Sequence, residues 1–164
     1  MLVAAFTSVS AGSINKKFIF FSGSDGTLFY IKPQKMPKAD GSAALRKLKY
    51  DITTMASEDS VSITAFVYTR QRFKFDEATI LNADGSRVTS KIETIFIKPK
   101  STKKYINRLR FWMKRKDFDK LFETAEPFML DYGYDVKFKF SPGKWEKLRK
   151  ETKEIFLTID TMAK

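Results

Sequence analysis

The stretch KYINRLRFWMKRK, residues 104–116, decides the reading of the chain. Leu109, Phe111 and Met113 alternate with Arg108, Arg110, Trp112 and Lys114. A period of two puts the first set on one face of a strand and the second on the other. A strand this sharply two-faced needs a core on one side only. It belongs to an antiparallel sheet with one face packed and one face wet.

The neighbouring segments repeat the pattern. In KLKYDITT (47–54), Leu48, Tyr50 and Ile52 oppose Lys47, Lys49 and Asp51. In SVSITAFVYT (60–69), Val61, Ile63, Ala65 and Val67 share a face, while Phe66 and Tyr68 mark the other as covered or as a contact surface. KKFIFF (16–21) and TLFYIK (27–32) flank SGSDG, a glycine-containing loop suited to a hairpin. PQKMPKADGSAA (33–44) reads as a loop. RQRFKFDEATIL (70–81) turns Phe73 and Phe75 inward, and NADGS then turns into RVTSKIETIFIK (87–98), a second hairpin. After residue 126 the pattern returns to strand, with Val136, Phe138 and Phe140 inward.

Two segments change period. In KDFDKLFETA (116–125), Phe118, Leu121, Phe122 and Ala125 follow helical spacing, with Asp residues in the first turn, where negative charge is favoured. From Ser141, an N-cap residue followed by Pro142, the residues Trp145, Leu148, Thr152, Ile155, Ile159 and Met162 form one stripe. Glu146–Lys150, Lys147–Glu151 and Lys150–Glu154 are spaced for ion pairs on its wet side. The stripe packs on the domain's own sheet. The sum is an α+β fold, mainly β. Eight or nine antiparallel strands form a sandwich or partly open barrel, with a short inserted helix at about 116–125 and a long C-terminal helix at about 142–162.

The first thirteen residues, MLVAAFTSVSAGS, are not needed for that fold. Leu2 to Phe6 are largely apolar, and Val9 and Ala11 suit positions −3 and −1 of a cleavage site. Residues 1–11 are therefore expected to be the remnant of an export signal whose start is missing, with 12–164 as one globular domain in the periplasm or outside the cell. The alternative is a cytoplasmic protein with an N-terminal arm.

Composition narrows the chemistry. At 164 residues, 43% hydrophobic and with 16 Phe, the chain can build a real core. It has no Cys and no His, which removes disulfides, thiolate chemistry, the usual general base and the commonest metal ligand. The Asp-Gly turns at 40–41 and 84–85 fail as calcium loops, because Lys38, Ile80 and Lys91 fall where ligands are required. No phosphate loop and no G-x-S-x-G elbow is present. Glu126, Asp131, Asp135, Asp76 and Glu77 could form a hydrolytic carboxylate pair, but nothing in their spacing fixes two at a working distance.

The net charge of +12 points to anionic partners. Nine cations between Lys98 and Lys116 are interrupted by no acid. Arg108, Arg110, Trp112 and Lys114, joined by Lys103 and Lys104, are the candidate binding surface: cations to hold an anion and an indole to stack on a ring. The opposing reading is a solvated face with Trp112 packed beneath a helix. Lys outnumbers Arg by 23 to 8, which argues against a specific nucleic-acid reader. The expectation is a non-enzymatic binding or accessory module, without metal or cofactor, for an anionic polymer, a glycan or a lipid headgroup. A cytoplasmic nucleic-acid-associated protein and a carboxylate-dependent hydrolase are the alternatives.

Overall fold

The computed structural model describes residues 14–164, so the expected signal remnant at 1–11 lies outside the described residues. The fold is mainly β, with ten strands and two helices among those residues. A six-stranded antiparallel sheet contains β1 (Phe18–Gly23), β2 (Gly26–Met36), β3 (Leu48–Met55), β4 (Ser60–Thr69), β7 (Glu93–Ser101) and β8 (Lys104–Lys114), in the order β1-β2-β3-β4-β8-β7. A four-stranded sheet contains β5 (Glu77–Leu81), β6 (Arg87–Lys91), β9 (Met129–Asp131) and β10 (Lys137–Lys139), in the order β10-β9-β5-β6. Helix α1 spans Arg115–Leu121 and helix α2 spans Pro142–Met162. The segment 104–116 thus contributes β8 and the start of α1. β8 sits between β4 and β7, one strand in from the edge.

On β8, and on β4 apart from Thr64, alternation matches burial. Leu109, Phe111 and Met113 are buried, and so are Val61, Ile63, Ala65 and Val67 on β4. The register sets Ala65 against Leu109 and Ile63 against Phe111, so the apolar faces of β4 and β8 coincide. Leu48, Tyr50 and Ile52 extend this face onto β3. The two sheets meet through Tyr132, whose ring lies edge-on to Phe111 of β8 at 6.4 Å and to Phe138 of β10 at 6.1 Å. The segment after β2 ties them further, with Lys38 bridging Phe138 and the Lys139 N–H donating to the Pro37 carbonyl at 3.0 Å.

Helix α2 closes the core. Trp145 is fully buried against Phe122, Phe128 and Phe140, and its indole N–H donates to the Thr124 carbonyl at 3.1 Å. One turn of α1 packs on α2 through Phe118 and Phe156, with ring centroids 4.9 Å apart. Arg115 anchors the same junction by pairing with Asp119 at 2.8 Å and with Asp160 at 3.0 Å. No helix among the described residues is long and apolar enough to cross a membrane.

Several expectations need correction. The segment 33–44 is a loop only from Pro37 onward, because β2 runs through Pro33 to Met36 with a register shift between Ile31 and Gln34. A bulge is where a strand accommodates a proline. The segment 87–98 is two strands in different sheets, broken at Ile92, whose N–H donates to the Asp76 carbonyl at 2.8 Å. Its period runs on through the break, so alternation alone conceals it. Phe73 precedes β5 rather than lying in it, and stacks on Tyr134 at 4.5 Å. On α2, Met162 is exposed and Phe156 is buried, because α1 covers the flank of the helix that carries Phe156. Ser141 occupies the N-cap without a side-chain capping bond. Of the three expected helix pairs, Glu146–Lys150 forms at 3.2 Å, whereas Glu151 reaches Lys17 instead at 3.3 Å.

Candidate functional site

The outer face of the six-stranded sheet carries the residues singled out by sequence. On β8 these are Arg108, Arg110, Trp112 and Lys114, and opposite them on β4 stand Phe66, Thr64, Ser62 and Ser60. Trp112 is 45% exposed, so no helix covers it. The reading of a packed Trp112 is overturned. The helices lie elsewhere because their apolar residues join the core beneath the opposite face.

The two arginines are engaged within the chain. Arg108 pairs with Asp51 of β3 at 3.3 Å and lies over the Phe66 ring at 4.2 Å. Arg110 donates from Nε to Thr64 Oγ1 at 3.2 Å, approaches Glu93 of β7 at 3.7 Å, and lies 5.7 Å from the Trp112 ring. Asp51 is only 6% exposed although it lies on the outer face. Burial pushes its carboxyl above the usual range, more than the Arg108 cation pulls it down. Tyr30 is shifted upward as well, first by burial and then by the Asp51 charge. The centre of the face is thus a cross-strand lattice of charge and ring in which Arg108 and Arg110 are already paired.

The β7–β8 end differs. Lys98 Nζ lies over the Phe96 ring at 4.6 Å, and Phe96 contacts Phe66 at 6.3 Å. Lys100 and Arg46 both approach the Tyr68 ring, at 5.4 and 5.2 Å. Lys103 and Lys104 form the turn end of the same hairpin, where Ser101 pairs with Lys104. Among the described residues none of these five cations forms an ion pair. Aromatic rings under ammonium groups hold them in place without cancelling their charge. Lys114 is exposed at the far end of β8, roughly 33 Å from Lys104 at strand rise. The six candidates therefore share a strand or its turn but fall into three groups.

Arg46, Asp51, Glu93 and Phe96 were missed by sequence reasoning. Phe66 and Tyr68 were the available signal, since aromatic side chains on the polar parity of β4 need partners. A shallow depression of about 240 Å³ lies beside Trp112, lined by Leu28, Thr53, Glu58, Ser62 and Arg110.

Asp131, Asp135, Asp76 and Asp84 are held by turns or ion pairs. Asp131 Oδ1 accepts the Gly133 N–H at 2.8 Å, and Asp131 and Asp135 each lie 3.9 Å from Lys137. Asp76 pairs with Lys74 at 3.5 Å. Asp84 accepts both the N–H and the hydroxyl of Ser86, which hold its carboxyl below the usual range. No group of three His, Cys, Asp or Glu is placed to hold a metal among the described residues. No family model, no curated protein and no solved structure matches this chain.

Proposed function

We propose that this domain is a non-enzymatic binding module that holds an acidic glycan-like polymer along the outer face of its six-stranded sheet. The observation that carries the reading is the uncancelled cation cluster of Arg46, Lys98, Lys100, Lys103 and Lys104, three of them seated on exposed-side aromatic rings. Such a cluster attracts carboxylate or sulfate groups at long range and releases counterions on contact. Lysines are point charges on flexible stems, which suits a repeating anion better than one planar group. Trp112 and its hydroxyl-lined depression supply a ring-stacking end on the same face. The same reading assigns the protein to the periplasm or the extracellular space, which fractionation of cells expressing the full chain tests.

Heparin, a sulfated polymer, is a suitable probe. Replacing Lys98, Lys100, Lys103 and Lys104 by Ser should lower the salt concentration that elutes the chain. Replacing Arg108 and Arg110 should change it less, because their charges are cancelled in place. Equal retention of the lysine variant and the unaltered chain would remove this face as the site. Retention of single-stranded nucleic acid in preference to heparin would favour the nucleic-acid alternative.

A further inference from the structure

Among the described residues four strands form the edges of the two sheets, and three of them are blunted against further pairing. β7 carries Lys98, Pro99 and Lys100 and two register shifts. β6 is five residues long and bounded by Arg87 and Lys91. β10 has three residues, two of them Lys, and is bridged by Lys38. Charge, proline, bulges and short length are the devices that keep sheet edges from joining. β1, FIFFSG, carries no charge, no proline and no register shift. It presents Phe20 at 52% and Phe21 at 59% exposure, with Ile19 also exposed. We infer that β1 is the interface of a two-fold homodimer, in which β1 of one copy pairs antiparallel with β1 of a second.

The backbone sets the register. The Lys32 N–H donates to the Lys17 carbonyl at 2.8 Å, and Phe18 stands opposite Ile31. Successive antiparallel pairs alternate between bonded and non-bonded. The amides of Ile19, Phe21 and Gly23 therefore face β2, and those of Phe18, Phe20 and Ser22 face outward. A second β1 can use those outward groups only if even-numbered residues stand opposite even-numbered ones. A two-fold axis at Phe20 meets this condition. It sets Phe20 against its own counterpart, Phe18 against Ser22 and Ile19 against Phe21, so apolar side chains meet with no like charges opposed.

Two further observations favour a second copy. The register brings Lys16 of each β1 to the Ser24–Asp25 turn of the other, so opposite charges meet at both ends, while Lys17 stays paired with Glu151 of its own copy. Beside β1 lies a depression of about 370 Å³ lined by Asn15, Phe18, Ile19, Phe20 and Met162. A Phe20 ring arriving across the axis lies next to it. A six-residue edge is a small contact, below the roughly 1,200 Å² of a standard interface. The association is therefore concentration dependent.

Sedimentation of the full chain from about 1 μM to about 1 mM tests this. The average mass should rise toward twice 19.0 kDa. Phe20→Pro removes an outward amide without breaking the β1–β2 ladder and should abolish the rise. Should that variant fail to fold, Phe20→Lys and Phe20→Glu carry the test, because each sets two like charges face to face at the axis. Each alone should weaken association at least about tenfold with an unchanged urea midpoint, and an equimolar mixture should restore it. A monomer at every concentration overturns the proposal, as does unchanged association of the variants or a mixture that stays monomeric. Monomeric chain captured by anionic phospholipid vesicles through Phe20 and Phe21 overturns it in favour of a membrane contact.

Discussion

Arg108→Met isolates what the ion pair on the outer face does. Among the described residues Arg108 is the only hydrogen-bond partner of the Asp51 side chain, and Asp51 is almost fully buried. Without Arg108 the folded chain must either bury an unpaired carboxylate or protonate it. Protonation sets the ceiling. Relative to an ordinary value of 3.8, it costs about 4 kcal/mol at pH 7, at roughly 1.36 kcal/mol per pH unit. The floor is the loss of one charge-assisted hydrogen bond, about 1.5 kcal/mol. Lys49 and Arg110 still favour the ionised form, so a loss of about 2–4 kcal/mol is expected, near the range for breaking one side of a buried pair. In urea that is a midpoint shift of about 1–2 M with unchanged slope.

The sign of the pH dependence follows from the direction of the Asp51 shift. Burial raises its folded value above the unfolded one. Between the two values the folded chain holds more protons than the unfolded chain, so stability falls as pH rises through that window. Removing Arg108 widens the window upward. The deficit of Arg108→Met should therefore be largest at pH 7 and shrink toward pH 4, where only the guanidinium's stacking on the Phe66 ring is missing. Asp51→Asn should stay within about 1 kcal/mol of the unaltered chain, because no buried charge is stranded and Arg108 retains partial access to water. A deficit independent of pH, or an Asp51→Asn loss as large as that of Arg108→Met, would refute the electrostatic account and leave packing as the cause.

Two other substitutions test the core and the β1–β2 turn. Among the described residues the Tyr132 hydroxyl is buried without a hydrogen-bond partner, and burial drives its ionisation far upward, so Tyr132→Phe should be neutral or stabilising by about 1 kcal/mol in thermal unfolding; a loss beyond that would reveal a partner for the hydroxyl. Gly26 has a φ of +124°, and a Cβ there would come 3.2 Å from Ser57 Oγ, so Gly26→Ala should cost more than about 1 kcal/mol by the same measurement, and an unchanged melting temperature would contradict the turn geometry.

Much of the architecture was legible because it rests on local period. Residues 104–114 and 60–69 each pack one face, and a period of two transmits that fact through every residue. Helix α2 was readable to its ends because Pro142 fixes its start and the 3.6-residue stripe continues to Ile159. The break at Ile92 was not readable. It is made by a hydrogen bond to Asp76, sixteen residues away, and leaves no mark on local alternation. The candidate face was legible as to parity and not as to charge. Sequence put Arg108, Arg110, Trp112 and Lys114 on one side, but adjacency along β8 says nothing of which carboxylates stand on the neighbouring strands.

Sequence by itself determined a two-faced antiparallel β fold with a terminal helix, because side-chain direction follows residue parity and hydrophobic burial selects one parity. It also determined the cationic excess and the lack of Cys and His. Tertiary structure decided which charges remain available. Asp51 and Glu93 reach Arg108 and Arg110 only through the strand order β3-β4-β8-β7 and its register, while Lys98, Lys100, Lys103 and Lys104 sit at a hairpin end where no acid among the described residues pairs with them. It also decided which edge is left open among the described residues, since β1 became an edge only when β2 turned its other side to β3. Coulomb attraction and backbone pairing act over a few ångströms in space, and a linear sequence does not contain those distances.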